Sequence, residues 1–456
     1  MTTEAVREPG GLTRTRWAPV VALGLGMLVV TSEMTISAVA LPSIGADLGA
    51  SPATTAWVLL AYSLPMAAIA IPAGRWADRA GVRAAFLASM AGVGVASVLS
   101  ALAPTMPLLL ATRVLQGLAG GLIVCVYMPL ITCSVRENQR GSAIGYIIMI
   151  MTLGGVAGAP IGGLVASELG WRAVFLIKLP LLVAVLWLGA RTVPTGGGRG
   201  LPVPDRSLVR EAALLGGAVT GLLVAFDKFA TRPVLAAGLA ALGIGLAVGW
   251  SRLASARPMV ALVRRPAFGG TLVTLFTMSL SAGLLFFLLP YFIADVLHGS
   301  PETTGLALLC YIGAIAPTSP LAGLLTDRFG PRLVIATGAA LSVAGMLSML
   351  SLDAGASLVD LGWRLALFGV GAGLFNTAVN TATLGAAPPG MAGSAGGASM
   401  TARSVAMTMG SSVAALGWTL AGGGSLGFRV GVLGLATLAV AGIFAYLTLT
   451  RRPRQK

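Results

Sequence analysis

One stretch constrains this chain more than any other. Residues 17–44, WAPVVALGLGMLVVTSEMTISAVALPSI, form an apolar run long enough to cross a bilayer, with one carboxylate, Glu33, inside it and no charged neighbour. A charge at membrane depth costs at least about 2.5 kcal/mol, so it is kept for a partner or a task. Glu33 is therefore a candidate functional position, and the rest of the sequence must supply what it works with.

Similar apolar runs recur along the chain. Hydrophobic residues make up 56% of it and charged residues only 10%, with a mean hydropathy of +0.90. That combination predicts an all-α polytopic membrane protein. Bounded by charge or by Gly and Pro, the runs number fourteen, near 17–40, 55–74, 84–103, 106–128, 142–166, 173–190, 211–227, 233–251, 267–294, 303–325, 333–351, 361–384, 398–420 and 428–449. The arginines before the first run, Arg7, Arg14 and Arg16, resemble a signal-peptide start, but the run is too long and lacks a small-residue cleavage site. It reads as an uncleaved first helix.

The 30 Lys and Arg residues orient the chain. With the N-terminus inside, 23 of them fall in cytoplasmic segments, five in the opposite loops, and two, Arg113 and Lys178, within spans. The positive-inside rule then predicts that both termini are cytoplasmic, in the cytoplasmic membrane. The net charge of +15 is spread over short loops rather than gathered on one face, which argues against a nucleic-acid partner. Three cysteines, Cys125, Cys133 and Cys310, lie in or beside spans and read as bulk hydrophobe rather than a disulfide framework. A membrane enzyme would need His, Asp or Glu clustered at one depth; the single histidine, His298, falls in an outer loop.

An internal repeat divides the chain. GRWADRAGVR at 74–83 and GLLTDRFGPR at 323–332 both read G-x-x-x-D-R-x-G-x-R, and both fall in cytoplasmic loops. Two equivalent loops imply two similar six-helix bundles, 1–194 and 266–456, with a Gly/Pro-rich linker and two inserted helices between them at 195–265.

At these residues the chain resembles the major facilitator superfamily, and within it the fourteen-helix drug:proton antiporters. The repeated loop matches the signature loop of that superfamily. LLLATRVLQGLAGG resembles its proton-coupling motif, which places the functional arginine at Arg113, followed by Gln116, Gly117 and Gly120. The first-span motif usually reads L-D-x-T-I-V-N-V-A-L-P; here SEMTISAVALP puts Glu33 at the acidic position. The fifth span, with helix-packing candidates Gly154, Gly158, Pro160, Gly162 and Gly163, resembles the exporter motif G-P-x-x-G-G, although its proline stands one place late. That offset predicts a kink directed about 100° around the helix from the family's. In WRAVFLIKLP, Lys178 stands where the family usually has Asn.

At 1.5 Å per residue, Glu33, Arg113 and Lys178 all fall roughly 7–11 Å below the outer surface and can share a layer. A buried carboxylate is pulled toward its neutral form by burial and toward its charged form by a nearby guanidinium, so a change in hydration or distance makes it load and release a proton. Glu33 and Arg113 are thus the proton-coupling candidates, with a permanent structural pair as the competing reading. For Lys178 the expectation is snorkelling to the outer surface; the alternative is a second cation tuning Glu33 or meeting an anionic substrate.

The resemblance assigns gating to Gly74, Asp78, Arg79, Gly81 and Arg83, and to Asp327 and Arg328 in the second copy. It has Asp78 bonding the start of the thirteenth helix near Gly397, Ser399 and Arg403. It also makes spans one, four, nine and twelve line a central cavity, with Gln116, Thr274, Thr277, Asn376 and Asn380 as polar contacts and Phe286, Phe287 and Tyr291 as apolar ones. The implied function is proton-coupled efflux of small amphipathic compounds, hydrophobic cations favoured, by a monomer that uses the proton gradient and no cofactor or metal. The alternative is a dedicated exporter of one metabolite, self-made antibiotic or lipid on the same fold.

Overall fold

The computed structural model describes residues 14–50, 52–55, 57–195, 201, 206–228, 232–299 and 301–450. These are almost wholly helical, as hydrogen-bond economy in a hydrocarbon core demands. In chain order the α-helices are α1 (Trp17–Leu48), α2 (Pro52–Thr55), α3 (Trp57–Ala68), α4 (Ala70–Arg79), α5 (Val82–Ala101), α6 (Met106–Ser134), α7 (Arg140–Leu169), α8 (Trp171–Leu176), α9 (Leu179–Thr192) and α10 (Arg206–Lys228). They continue with α11 (Pro233–Ser251), α12 (Arg257–Val263), α13 (Pro266–Ser279), α14 (Leu289–Asp295), α15 (Pro301–Phe329), α16 (Pro331–Ser348), α17 (Leu358–Ala386), α18 (Ala392–Leu420) and α19 (Gly424–Leu449).

The fourteen expected runs all fall on these elements. Among the described residues, ten helices are long and apolar enough to cross a membrane, or up to twelve if each bent pair is one span. Both α10 and α18 stand outside that set. In α18 the reason is composition, since Gly, Ser and Thr recur along it and Arg403 sits near its middle.

Breaks in the helices have local causes. α3 and α4 meet at 52°. Pro72, four residues beyond Ala68, has no N–H to give that carbonyl, and its ring crowds it. Pro180 does the same to Leu176, and the chain turns at Ile177 and Lys178 between α8 and α9. Between α13 and α14 the backbone passes through a π-helical turn at Leu284–Leu288, just before Pro290.

The N-terminal helices bury one large apolar core around Leu23, Met27, Phe86, Met90 and Ile123. In the C-terminal half, Leu284, Phe292, Phe368 and Phe428 centre another core, and Ile335, Phe375 and Val379 a third. The halves meet along two seams, α7 against α15 and α4 with α6 against α18. α10 packs on α11 and also on α3, α4 and α18, lying along the second seam.

Candidate functional site

Three helical units deliver three charged side chains to one buried point. α1 brings Glu33, 2% exposed; α6 brings Arg113, fully buried; and the turn before Pro180 brings Lys178, 6% exposed. Arg113 Nη1 donates to Glu33 Oε1, and Lys178 Nζ donates to Glu33 Oε2. Ser37, one helical turn on from Glu33, donates to Oε1 at 3.3 Å. One carboxylate thus answers two cations.

The shared layer expected from residue spacing is therefore realised. Snorkelling of Lys178 is corrected: the turn at Ile177–Lys178 tips its side chain into the bundle, where Glu33 offers a partner that the outer surface would have to match with water.

Arg113 is held from several sides. Its Nε donates to the Val58 carbonyl at 3.0 Å, and Nη1 also reaches Gln116 Oε1 at 2.7 Å. Gln116 is tied in turn to Ser97 Oγ at 2.9 Å. Gln116 is fully buried and supports the arginine from behind, rather than lining a cavity as its polarity suggested. The Tyr62 ring lies 4.8 Å from the guanidinium, and the Phe175 ring lies 5.6 Å from both Arg113 and Lys178.

Tyr62 is the wall between this cluster and the space beyond. Its hydroxyl donates to the Val30 carbonyl at 3.0 Å, three residues before Glu33. Gly117 and Gly120 make room for it: a Cβ on Gly117 would run into the Tyr62 carbonyl, and one on Gly120 would come within 3.1 Å of the hydroxyl. The RVLQGLAGG segment therefore holds the arginine with its polar residues and seats the tyrosine with its glycines.

On the other side of Tyr62 lies a cavity of about 430 Å³ between the two halves. Met27, Met34, Met66, Met128, Met151 and Met400 line it, with Tyr127, Asn376, Asn380, Ser399 and Arg403 as its principal polar groups. A second cavity of about 300 Å³ within the C-terminal half shares Asn376 and Arg403 with it. Arg403 Nη1 donates to Asn376 Oδ1 at 2.8 Å. Sequence reasoning missed the methionines, which come from different helices and carry no motif.

Among the expected contacts, Asn376 and Asn380 line the larger cavity. Thr274 is fully buried and donates to the Gly442 carbonyl at 2.8 Å, and Thr277 packs on Gly442, so both serve the α13–α19 contact. Phe287 stacks on Tyr291 at 4.6 Å, and Tyr291 meets Trp418 at 5.7 Å, away from either cavity. The side chain of Phe286 lies outside the described residues.

The repeated loops form a matched pair of latches. Asp78 accepts from Gly393 N at 2.6 Å, from Ser394 N at 2.9 Å and from Ser394 Oγ at 2.6 Å. Asp327 accepts from Gly141 N and Ser142 N, both at 2.8 Å, and from Ser142 Oγ. Each carboxylate thus sits on the N-terminus of a helix of the other half, α18 or α7, where the free N–H groups and the helix dipole favour an anion. The glycine one turn earlier makes the approach possible. A Cβ on Gly74 would strike the Gly393 carbonyl, and one on Gly323 the Gly141 carbonyl.

The expected Asp78 partners are corrected by one turn. Asp78 meets Gly393 and Ser394, while Gly397 packs on the Ala70 carbonyl and Ser399 and Arg403 face the cavity. The two loops also differ in detail. Gly330 adopts φ +82°, where a side chain is strained, whereas Gly81 has an ordinary φ of −65°. Arg328 lies 5.3 Å from the Phe329 ring, Arg332 donates to the Leu447 carbonyl, and Arg83 is partly exposed.

The model of the Major Facilitator Superfamily matches residues 23–411 and 271–456. The chain belongs to that superfamily. It is a multi-pass membrane transporter and not an enzyme. Its relatives include a tetracenomycin C resistance and export protein of Streptomyces glaucescens, 31% identical over 91% of this chain and 79% of the relative. They also include the multidrug resistance protein Stp of Mycobacterium tuberculosis, 29% identical over 88% and 76%, and the methyl viologen resistance protein SmvA of Salmonella typhimurium, 29% identical over 84% and 78%. Among solved structures, the human organic anion transporter MFSD10 aligns with a TM-score of 0.70 at 19% identity, covering 95% of this chain and all of that one. The proton:xylose symporter XylE aligns at 0.67 and 14%, covering 93% and 94%. At those identities the likeness is one of fold.

Within this superfamily member the glycines of α7 have distinct tasks. Added Cβ atoms on Gly154, Gly158 and Gly162, spaced one turn apart, would collide with Leu28, Thr35 and Ile36, so this stripe is the α1–α7 contact. Gly163 only touches Val39 at 3.4 Å, and Pro160 is exposed within an unbroken helix.

Proposed function

We propose that this transporter exports small amphipathic molecules across the cytoplasmic membrane in exchange for protons, as a monomer of the fourteen-helix drug:proton antiporter branch with both termini cytoplasmic. The observation that carries the reading is the buried Glu33 carboxylate between Arg113 and Lys178, beside the Tyr62 ring that lines the central cavity. A transporter that moved a neutral solute passively would have no use for an ion cluster so expensive to bury. The names of the relatives, which speak of resistance and export, support the outward direction.

The cluster holds one excess positive charge when every member is ionised. Arginine keeps its proton. The exchanged proton is therefore gained and lost by the Glu33–Lys178 pair. Opening toward the outside admits water, which stabilises the loaded, more positive form. Exposure to the inside with substrate entering the cavity favours release. The Asp78 and Asp327 latches, on the side assigned to the cytoplasm, hold that face shut in between. Glu33 is then a proton site rather than a cation-binding site, because both of its oxygens are already taken by cations.

The test is transport by the full chain in proteoliposomes under an imposed pH gradient, comparing the native chain with Glu33→Gln. Gradient-driven movement of an amphipathic dye that disappears in the variant, with dye binding kept, is the expected result; equal coupling in both overturns the proton role. A dedicated exporter of one self-made antibiotic is the second reading, favoured by the tetracenomycin export relative.

A further inference from the structure

The charge of the cargo is written in the cavity walls. Among the described residues lining both cavities, the only charged side chain is Arg403. It belongs to both spaces at once, and among the described residues it donates to Asn376, a neutral acceptor. No carboxylate pairs with it among the described residues. Glu33 does not line either cavity: it is 2% exposed and is occupied by two cations.

A guanidinium carries five N–H donors and matches oxyanions in two-point geometry. Asn376 takes one of the five and fixes the side chain in place. The remaining wall is uncharged and largely apolar and soft: beside the neutral Tyr127, Asn380 and Ser399, the six methionines adapt to flat or irregular shapes and contact aromatic faces well. Both volumes are within the roughly 300–1,000 Å³ of sites for drug-sized ligands. A permanent cation brought here would lie beside an unneutralised positive charge in a medium of low dielectric constant, with nothing to offset it. An oxyanion meets the charge that is waiting for it.

Resting on the export reading above, we infer that the cargo is a flat, largely apolar molecule bearing an acidic oxygen group, a carboxylate or phenolate, which Arg403 holds while the methionines cover its rings. Arg403 is a substrate-binding residue at the junction of the two cavities, not the partner of Asp78. The inside-negative membrane potential also favours outward movement of such an anion.

The experiment uses three probes on one ring system: anthracene-9-carboxylate, its methyl ester, and (anthracen-9-ylmethyl)trimethylammonium. Binding to the purified full chain is read by probe fluorescence. The carboxylate should bind about tenfold or more tighter than the ammonium, the scale of one charge-assisted hydrogen bond. Arg403→Gln should abolish that preference while leaving the ester unchanged, which also certifies the fold of the variant; Arg403→Lys should keep it. Ammonium binding as tight as the carboxylate, an equal preference in Arg403→Gln, or binding of none of the three overturns the inference. Movement of the same probes under a pH gradient separates the two ideas. Gradient-driven transport of the ammonium alone removes the anion assignment and leaves export standing. Arg403-dependent binding of the carboxylate without gradient-driven movement removes the proton-coupled reading and leaves the ligand class.

Discussion

Arg113 and Lys178 hold opposite oxygens of the same carboxylate, so among the described residues Glu33 alone answers two buried cations. The three are not equivalent under substitution. Glu33→Gln strands both cations and should destabilise the folded protein by about 3–5 kcal/mol, the cost of breaking a buried pair from one side. Lys178→Gln leaves a neutral Glu33–Arg113 pair and should cost far less. Thermal unfolding in detergent checks the order; an equal loss in both variants contradicts the charge count.

The same excess charge sets the pH response. If proton loading and cargo binding belong to mutually exclusive states of the chain, binding to the native chain should weaken as pH falls, because protons draw the population toward the loaded, cargo-free state. With Lys178→Gln the excess charge is gone, and binding should become flat across the neutral range. Titration of probe binding against pH, with an internal dye to count protons released, measures both; an unchanged slope in the variant assigns the proton elsewhere.

Tyr62 separates the proton site from the cavity, and its two attachments make distinct predictions. Tyr62→Phe loses the bond to the Val30 carbonyl and should cost about 1 kcal/mol with coupling intact. Tyr62→Ala removes the wall. Proteoliposomes carrying it should leak protons without cargo, and tightness equal to the native chain would show that the ring is not the barrier.

Closure of the two latches depends on helix backbones touching at Gly74 and Gly323. Gly74→Ala places a methyl against the Gly393 carbonyl and should shift the population away from the closed face, whereas Gly155→Ala, with nothing within 4 Å, should not. Labelling of a cysteine at Ser399, in a chain freed of Cys125, Cys133 and Cys310, reports the opening; equal labelling of both glycine variants would remove the packing argument.

Residue spacing alone revealed much of this site, and where it stopped has physical reasons. Glu33 and Arg113 were legible because each sits on a continuous helix, where 1.5 Å per residue locates its depth. Lys178 was not, because a break at Pro180 decides where it points. The Asp78 motif was legible, but its partner was misplaced by a turn: α18 begins at Ala392, after Pro388, Pro389 and Gly390 at φ +77°. Thr274 and Thr277 looked like cavity residues as the polar side chains of a span that the resemblance puts at the cavity, yet a hydroxyl between apolar helices serves equally as a cross-helix bond, and α19 claimed them. The methionine lining arises only when several helices converge.

Helix α10 is tied to the Asp78 latch region by an ion pair, Arg75 with Glu211. Arg75 directly follows the close-contact Gly74, and α10 packs on α3, α4 and α18 at the seam the Asp78 latch closes. The partners differ in burial: the Glu211 side chain is 1% exposed and the Arg75 side chain 21%. Removing the cation therefore leaves a carboxylate in an apolar interface with no charge to answer it, while removing the acid leaves an arginine that can turn to water. Arg75→Gln should cost about 3–5 kcal/mol and Glu211→Gln about 1 kcal/mol or less. If α10 steadies the closed seam, Glu211→Gln should also raise labelling at Ser399 without changing Lys178-dependent proton release. Unfolding and labelling on the same preparations decide it: a stability loss with no change in labelling makes the pair structural glue, and a change in both makes α10 part of the gate.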